Sequence, residues 1–303
     1  LEGRAAATFV VLAGIGLGLA AQRHDVSQTA TTTLKRAGFL FVLGLGNTLI
    51  FDADILHYYA VYFAFGVLLL PLPTGWLVAA IPLVAVEFLL LNTVLDYNAG
   101  WNWTDFTYED FWSPIGFIRN LFFNGWHPVF PWIGFLIFGF VIARLELSTE
   151  RVQNRMIGFG LLAWLAAHLT SHLLTPFLAT LDPDLAVLAT TEPVPPMPLY
   201  LLAGIGAASL VIGFFLRFER WFEASRISAI VNPAGRQTLT LYVAHILIGM
   251  GALEAVGLVG GQSAFDAFLA AMLFCSIALI YALIWSRYFK RGPLEILMRR
   301  IAG

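Results

Sequence analysis

Apolar residues in this chain come in uninterrupted runs of about 17 to 23 residues, the length a helix needs to cross a hydrocarbon core about 30 Å thick. Inside lipid no water reaches the peptide groups, so only helices and closed barrels satisfy the backbone there. The runs lack the two-residue alternation of a barrel strand, so they predict helices. A soluble domain would carry charge on about a quarter of its residues; here only 12% are charged and 59% are hydrophobic. The chain therefore reads as an all-α, polytopic membrane bundle forming a single domain over 1–303. Nine spans are expected, near 5–21, 36–51, 56–72, 76–95, 128–144, 157–174, 198–216, 236–257 and 265–286.

Lys and Arg mark the cytoplasmic side of such a bundle. Of the 17 basic residues, only Arg4 and Arg119 fall outside the connections between spans one and two, five and six, seven and eight, and the tail after span nine. The expected protein is multi-pass in the cell (inner or plasma) membrane, with a cytoplasmic C-terminus and residue 1 outside. A chain starting outside without a signal sequence implies an upstream helix, so one N-terminal span is expected to be missing. The lone Cys275 lies in an apolar run and leaves no disulfide or CxxC site. With a net charge of −2, nothing points to a nucleic-acid partner.

Polar residues at membrane depth are costly and therefore candidates for function. Four histidines collect towards the outside: His57 at the start of span three, His127 before span five, and His168 and His172 near the outer end of span six. Asp54 and His57 are three apart and share a face if that stretch is helical. A carboxylate that orients an imidazole makes a general base; the structural alternative is a polar cluster that anchors the helix start. Trp126 and His127 are expected to rim the same outward-facing cavity. His168 and His172 are four apart, but no third ligand is fixed by spacing, so no metal is expected. Glu87 and Asn92 lie inside span four, where an interhelical hydrogen bond or a proton relay would explain them.

In span eight, Thr238, Tyr242, His245 and Gly249 form one stripe with Arg236 at its cytoplasmic start. Arg236, like Arg36 at the start of span two, is placed to meet a phosphate; plain positive-inside bias explains both equally. Gly14, Gly16 and Gly18 imitate a nucleotide loop but lie in an apolar span, where Gly14 and Gly18 read as a GxxxG packing face. The long loop at 96–127 is rich in Trp, Tyr, Phe and Asp, and Ser113 to Asn124 predicts a short interfacial helix.

Several stretches resemble one family. They are Gly3-Arg4-Ala5-Ala6-Ala7-Thr8-Phe9, Asp54-Ile55-Leu56-His57-Tyr58-Tyr59, His127-Pro128-Val129-Phe130-Pro131-Trp132 running on to Gly139 and Arg144, Gly235-Arg236-Gln237-Thr238-Leu239-Thr240-Leu241-Tyr242 with His245, and Phe289-Lys290-Arg291-Gly292-Pro293-Leu294-Glu295. Together, in this order, they resemble YeiB-like bacterial membrane proteins related to heparan-α-glucosaminide N-acetyltransferase. The resemblance implies a transmembrane acyltransferase that takes an acetyl or other acyl group from cytosolic acyl-CoA and delivers it to an extracytoplasmic sugar amine or hydroxyl. It also implies a catalytic histidine in a loop that would largely precede Leu1, so that role transfers to no residue here.

Read from the residues themselves, His57 and Asp54 are the catalytic candidates. Trp126, His127, His168 and His172 would contact a glycan or glycolipid acceptor, and Arg36, Arg236, Tyr242 and His245 the acetyl-CoA co-substrate. A homodimer is compatible with the sequence. A transporter using a His/carboxylate path, or a non-catalytic membrane scaffold, is the competing reading. The topology is directly testable: with Cys275 replaced, a cysteine introduced at Arg151 should react with impermeant reagents only from the cytoplasmic side, and labelling from outside would reverse the assignment.

Overall fold

The computed structural model describes residues 3–258 and 260–303. Helices dominate, in the order α1 (Arg4–Arg23), α2 (Val26–Asn47), α3 (Leu56–Leu69), α4 (Thr74–Val94), α5 (Pro114–Arg119), α6 (Val129–Ala143), α7 (Glu150–Leu181), α8 (Pro198–Arg217), α9 (Glu219–Ala224), α10 (Ile227–Gly235), α11 (Thr238–Ala244), α12 (Gly251–Ala255), α13 (Ala264–Ser286) and α14 (Pro293–Ala302). Two segments are wound as π-helix, Asn120–Asn124 after α5 and His245–Met250 between α11 and α12. The sheet content is one small antiparallel hairpin, β1 (Trp101–Asn102) with β2 (Thr107–Tyr108), in register Trp101↔Tyr108 and Asn102↔Thr107. The chain forms two compact units, Leu1–Gly44 with Asp52–Arg217, and Leu45–Phe51 with Phe218–Gly303.

This is an all-α membrane bundle, but the expected nine spans do not all reach spanning length. Among the described residues six helices are long and apolar enough to cross a membrane: α1, α4, α7, α8, the composite Thr238–Ala255 and α13. A seventh is reached if Pro114–Asn124 and α6, bent by 48°, count as one broken span. The exceptions are α2 and α3. Helix α2 carries Ser27, Gln28, four threonines, Lys35 and Arg36 before its apolar half begins. Helix α3 has 14 residues, about 21 Å of rise, short of a core of about 30 Å. The predicted short helix after Ser113 is present as α5, with the Ser113 side chain accepting from Gly116 N at 2.9 Å as its N-cap.

In the first unit, α1 packs on α6 and α7 packs on α8 through glycines. A Cβ on Gly14 would strike the carbonyl of Leu136, one on Gly139 the carbonyl of Val11, and one on Gly18 would lie 2.7 Å from Ala143 Cβ. Gly16, between them in sequence, faces open space. The GxxxG reading of α1 therefore holds, and the nucleotide-loop imitation is a coincidence of spacing. Gly160 and Gly206 bring α7 and α8 together in the same way, a Cβ on Gly206 coming within 2.6 Å of Trp164 N. Small residues matter here because lipid tails give two helices no hydrophobic reason to associate; close van der Waals approach is what holds them. Around these crossings sit the fully buried Trp132, Phe135, Phe140, Tyr62 and Tyr200.

In the second unit the tail closes on the start of α11. Glu295 Oε1 accepts from Leu239 N at 2.7 Å and Thr240 N at 3.1 Å, and Thr240 Oγ1 donates to Glu295 Oε2 at 2.5 Å. The first-turn N–H groups of a helix have no partner within it, and a carboxylate is the favoured partner for them. Gly292 allows this approach, since a Cβ there would strike Glu295 Oε2. Gln237, 1% exposed, donates to Pro233 O and Ala282 O, each at 3.1 Å, and so ties the α10–α11 junction to α13. Two of the stretches that carry the family resemblance are thus in direct contact.

Substituting Gly139 by Val should force α1 and α6 apart. Overpacking costs about 1–3 kcal/mol, and the colliding atoms here are backbone and cannot rotate away. Thermal unfolding in detergent should show a lowered midpoint for Gly139→Val and little change for Gly16→Val. Equal effects would mean that the α1–α6 approach is not set by glycine.

Candidate functional site

The site starts from Asp54, which closes a short turn into α3. Its Oδ2 accepts from Leu56 N at 2.8 Å, a side-chain-to-backbone bond that short acidic residues favour at helix starts. Three residues on, His57 Nδ1 lies 3.6 Å from the same oxygen, close enough for electrostatic attraction and too long for a hydrogen bond. Both side chains are 0% exposed. Neither imidazole nitrogen has a hydrogen-bond partner, although buried polar atoms are almost always paired. The ring lies 3.9 Å from that of Tyr58 and 5.8 Å from Phe111. Helix α2 passes so close that a Cβ on Gly44 would strike His57 N.

Tyr58 leads from His57 to the long loop at 96–127. Its hydroxyl donates to Asn120 Oδ1 at 2.5 Å, and Asn120 is 2% exposed. Asn120 opens the π-turn, whose far end is Asn124. There Asn124 Nδ2 donates to Tyr97 O and Ala99 O, each at 2.8 Å, while its Oδ1 accepts from Tyr108 OH at 2.7 Å. Its carbonyl accepts from Trp101 Nε1 at 2.6 Å. Tyr108 OH in turn accepts from Arg119 Nε at 2.8 Å, and Arg119 pairs with Asp110 at 2.6 Å. Burial raises the Tyr108 hydroxyl pKa, against the pull of Arg119. One asparagine therefore holds the hairpin, the segment before it and the π-turn together. Below it, Phe88 of α4 packs on Tyr97 and Phe123.

Trp126 and His127 follow directly. Tyr62 OH donates to His127 O at 2.6 Å. The His127 ring lies 4.7 Å from Trp132 and 5.9 Å from Tyr58. Trp126 meets Trp101 edge-on at 5.0 Å and Phe106 at 6.4 Å. Both residues are half-buried, yet Trp126 Nε1 and His127 Nδ1 are out of contact with water and unpaired. Burial, reinforced by the neighbouring His57, pushes the His127 pKa down to about 3. This imidazole is neutral at physiological pH.

The structure thus brings Asp54, His57, Trp126 and His127 into one neighbourhood around Tyr58, as the sequence led us to expect. It corrects the expected cavity open to the outside, because Asp54 and His57 have no exposed surface. The close passage of α2 at Gly44 and the rings of Tyr58 and Phe111 cover the pair. His168 and His172 stand elsewhere on α7. His168 packs on Trp164 at 4.6 Å and its Nδ1 lies 3.4 Å from Thr191 Oγ1. His172 lines an open groove of about 320 Å³ with Ser171, Thr175, Pro176, Thr190, Thr191 and Glu192. Among the described residues no group of three or more His, Cys, Asp or Glu is arranged to hold a metal ion.

The donor-side candidates are divided between the two units. Arg36 belongs to the first unit and lies midway along α2, which begins at Val26, so it does not stand at a helix start. Arg236 belongs to the second unit and lies at the junction of α10 and α11. His245 opens the second π-segment, its Nδ1 2.5 Å from Tyr242 O and its ring 5.2 Å from Tyr242 and 6.3 Å from Phe274. Sequence reasoning missed Tyr58, Asn120, Asn124 and Glu295. A signal for the asparagines was present: two amides, four apart, in an otherwise apolar and aromatic stretch.

Residues 2–181 match the family model described as heparan-alpha-glucosaminide N-acetyltransferase, catalytic, and residues 142–303 match that described as protein of unknown function (DUF418). Each covers more than half of the chain. No curated protein and no solved structure gives a match. The apolar helical bundle and the N-terminal match define a membrane protein of the transmembrane acyltransferase class. The chain belongs to the YeiB-like family, related to heparan-α-glucosaminide N-acetyltransferase.

The neutral His127 makes folding pH-dependent in a defined direction. Its pKa lies below the ordinary 6.5, so the unfolded chain binds a proton that the folded one rejects. The contribution to stability is complete above about pH 6.5 and is lost as pH falls towards about 3. The detergent-solubilised protein should therefore unfold at a lower temperature at pH 5 than at pH 7.5, and His127→Gln should flatten that difference. An unchanged slope in the variant would place the titrating group elsewhere.

Proposed function

We propose that this protein moves an acetyl or other acyl group from cytosolic acyl-CoA to an amine or hydroxyl of an extracytoplasmic glycan or glycolipid. The observation that carries the reading is that the N-terminal match contains the whole Asp54–His57–Tyr58–Asn120 cluster. In the reaction the acceptor nucleophile attacks the thioester carbonyl, its proton passes to a base, and the coenzyme A thiolate leaves and is protonated. His57, with two unpaired nitrogens and Asp54 beside it, is the base. Asp54 favours the imidazolium that forms. Tyr58, its hydroxyl held by Asn120, packs its ring on His57 and fixes the imidazole in place. Trp126 and His127 border the acceptor, with His168 and His172 as outer contacts. The donor contacts to be tested are Arg36 in the first unit and, separately, Arg236, Tyr242 and His245 in the second. The buried pair has to open for an acceptor to enter, and a cytoplasmic C-terminus with the loop at 96–127 on the opposite side completes the reading.

The test is transfer from radiolabelled acetyl-CoA to sugar amines and hydroxyls by the protein in proteoliposomes. Removal of a general base typically costs about 10²- to 10⁴-fold; His57→Ala should lose that much turnover and keep coenzyme A affinity by calorimetry. Arg36→Ala and Arg236→Ala should weaken coenzyme A binding. A protein that neither binds coenzyme A nor releases its thiol would overturn the reading, and unchanged affinity in both arginine variants would remove them from the donor site.

A further inference from the structure

The segment after α13 has features that acyl transfer does not use. From Arg287 to Gly303 it carries five basic residues, Arg287, Lys290, Arg291, Arg299 and Arg300, and one acid, Glu295. The carboxylate of that acid is engaged by the backbone and hydroxyl of α11, so the segment presents an almost purely positive surface. The basic side chains are exposed.

Helix α14 is amphipathic in a particular way. Leu294, Leu297, Met298 and Ile301 recur at i, i+3, i+4 and i+7, one face of a helix. The helix covers only part of that face: Leu294 and Met298 are half-buried, while Leu297 and Ile301 are exposed. It packs through Glu295 and through Ala302, 1% exposed, which lies seven residues further along the same side. Leu297 is 45% exposed and Ile301 59%. Arg300 flanks this stripe.

Position narrows what can cover the stripe. Helix α13 is a spanning helix that ends at Ser286, and α14 begins at Pro293. The connection carries the exposed Tyr288 and Phe289, and Trp285 stacks on Phe289 at 4.5 Å. Aromatic residues followed by basic ones are what the boundary between hydrocarbon and headgroups selects. An apolar stripe, a positive surface and a start within seven residues of a span match the demands of a helix lying in the membrane surface.

We propose that α14 is a surface-lying helix that docks on anionic lipid headgroups, with Leu297 and Ile301 entering the acyl boundary and the basic side chains meeting lipid phosphates. Glu295 sets its orientation: by tying one side of α14 to α11 it turns the Leu297–Ile301 stripe outward. Attraction of this kind depends on lipid charge and on salt. The inference is independent of the acyltransfer reading, since it concerns lipid contact and not turnover.

Spin labels on Leu297→Cys and Ile301→Cys, in a Cys275→Ala background and in phosphatidylglycerol-rich nanodiscs, test it. Both labels should be more accessible to oxygen than to a water-soluble nickel chelate. The preference should weaken several-fold in pure phosphatidylcholine, in high salt, and in the Arg299→Glu/Arg300→Glu double variant. A parallel label on the native Cys275, exposed on α13, checks that the charge-reversed protein stays folded. Chelate-accessible labels in anionic nanodiscs would overturn the proposal. So would labels shielded from both reagents, which would mean that a second copy or another protein covers the stripe, and so would equal accessibility in charged and uncharged lipid.

Discussion

Lipid removes the force that assembles a water-soluble core, because leucine is as comfortable against an acyl chain as against another leucine. Helices in such a solvent stay together where their backbones approach closely enough for dispersion to add up. In this chain the approach rests on glycines at 14, 139, 160 and 206, where any side chain would meet a neighbouring backbone. Gly44 extends the same rule to the candidate site, since α2 covers His57 only because no Cβ intervenes. The crossing geometry thus sets the solvent-free surroundings of Asp54 and His57.

Burial then decides the chemistry. An imidazole without a partner, next to a carboxylate that a backbone N–H already holds, takes or gives a proton only when its surroundings change. A closed pair of this kind is shielded from water, which under the proposed function would keep solvent from competing with the acceptor. The polar network from Tyr58 through Asn120 to Asn124 holds the loop at 96–127 over it. Every bond of that network is made by a group that would be costly to leave unpaired.

Much of this was legible in the sequence. The apolar runs located the helices, the spacing of Gly14 and Gly18 gave the packing face of α1, and the three-residue step from Asp54 to His57 gave the pair. What the sequence could not show is where long-range partners meet. Asn124 gathers Tyr97, Ala99, Trp101 and Tyr108 from a loop with no periodic pattern. Glu295 reaches a helix start 55 residues earlier in the chain. Helix ends were also hidden. An apolar run marks the lipid-facing part of a helix and not its beginning, so Arg36 looked terminal and proved central in α2. The run at 56–72 contained too short a helix to span alone.

The π-turn at Asn120–Asn124 has a consequence for how the loop can change over time. A turn closed by Gly125 N on Asn120 O at 2.9 Å holds one residue more than an α-turn. Five residues wound this way turn and rise about as far as four in an α-turn, so removing one residue would restore α-winding and leave what lies beyond in nearly the same phase. What would change lies inside the turn, where the spacing of Asn120 and Asn124 lets one amide meet Tyr58 and the other Tyr108. The turn is thus a place where the chain carries one extra residue without disturbing its flanks, and that residue serves the two asparagines and not the positions of Trp126 and His127.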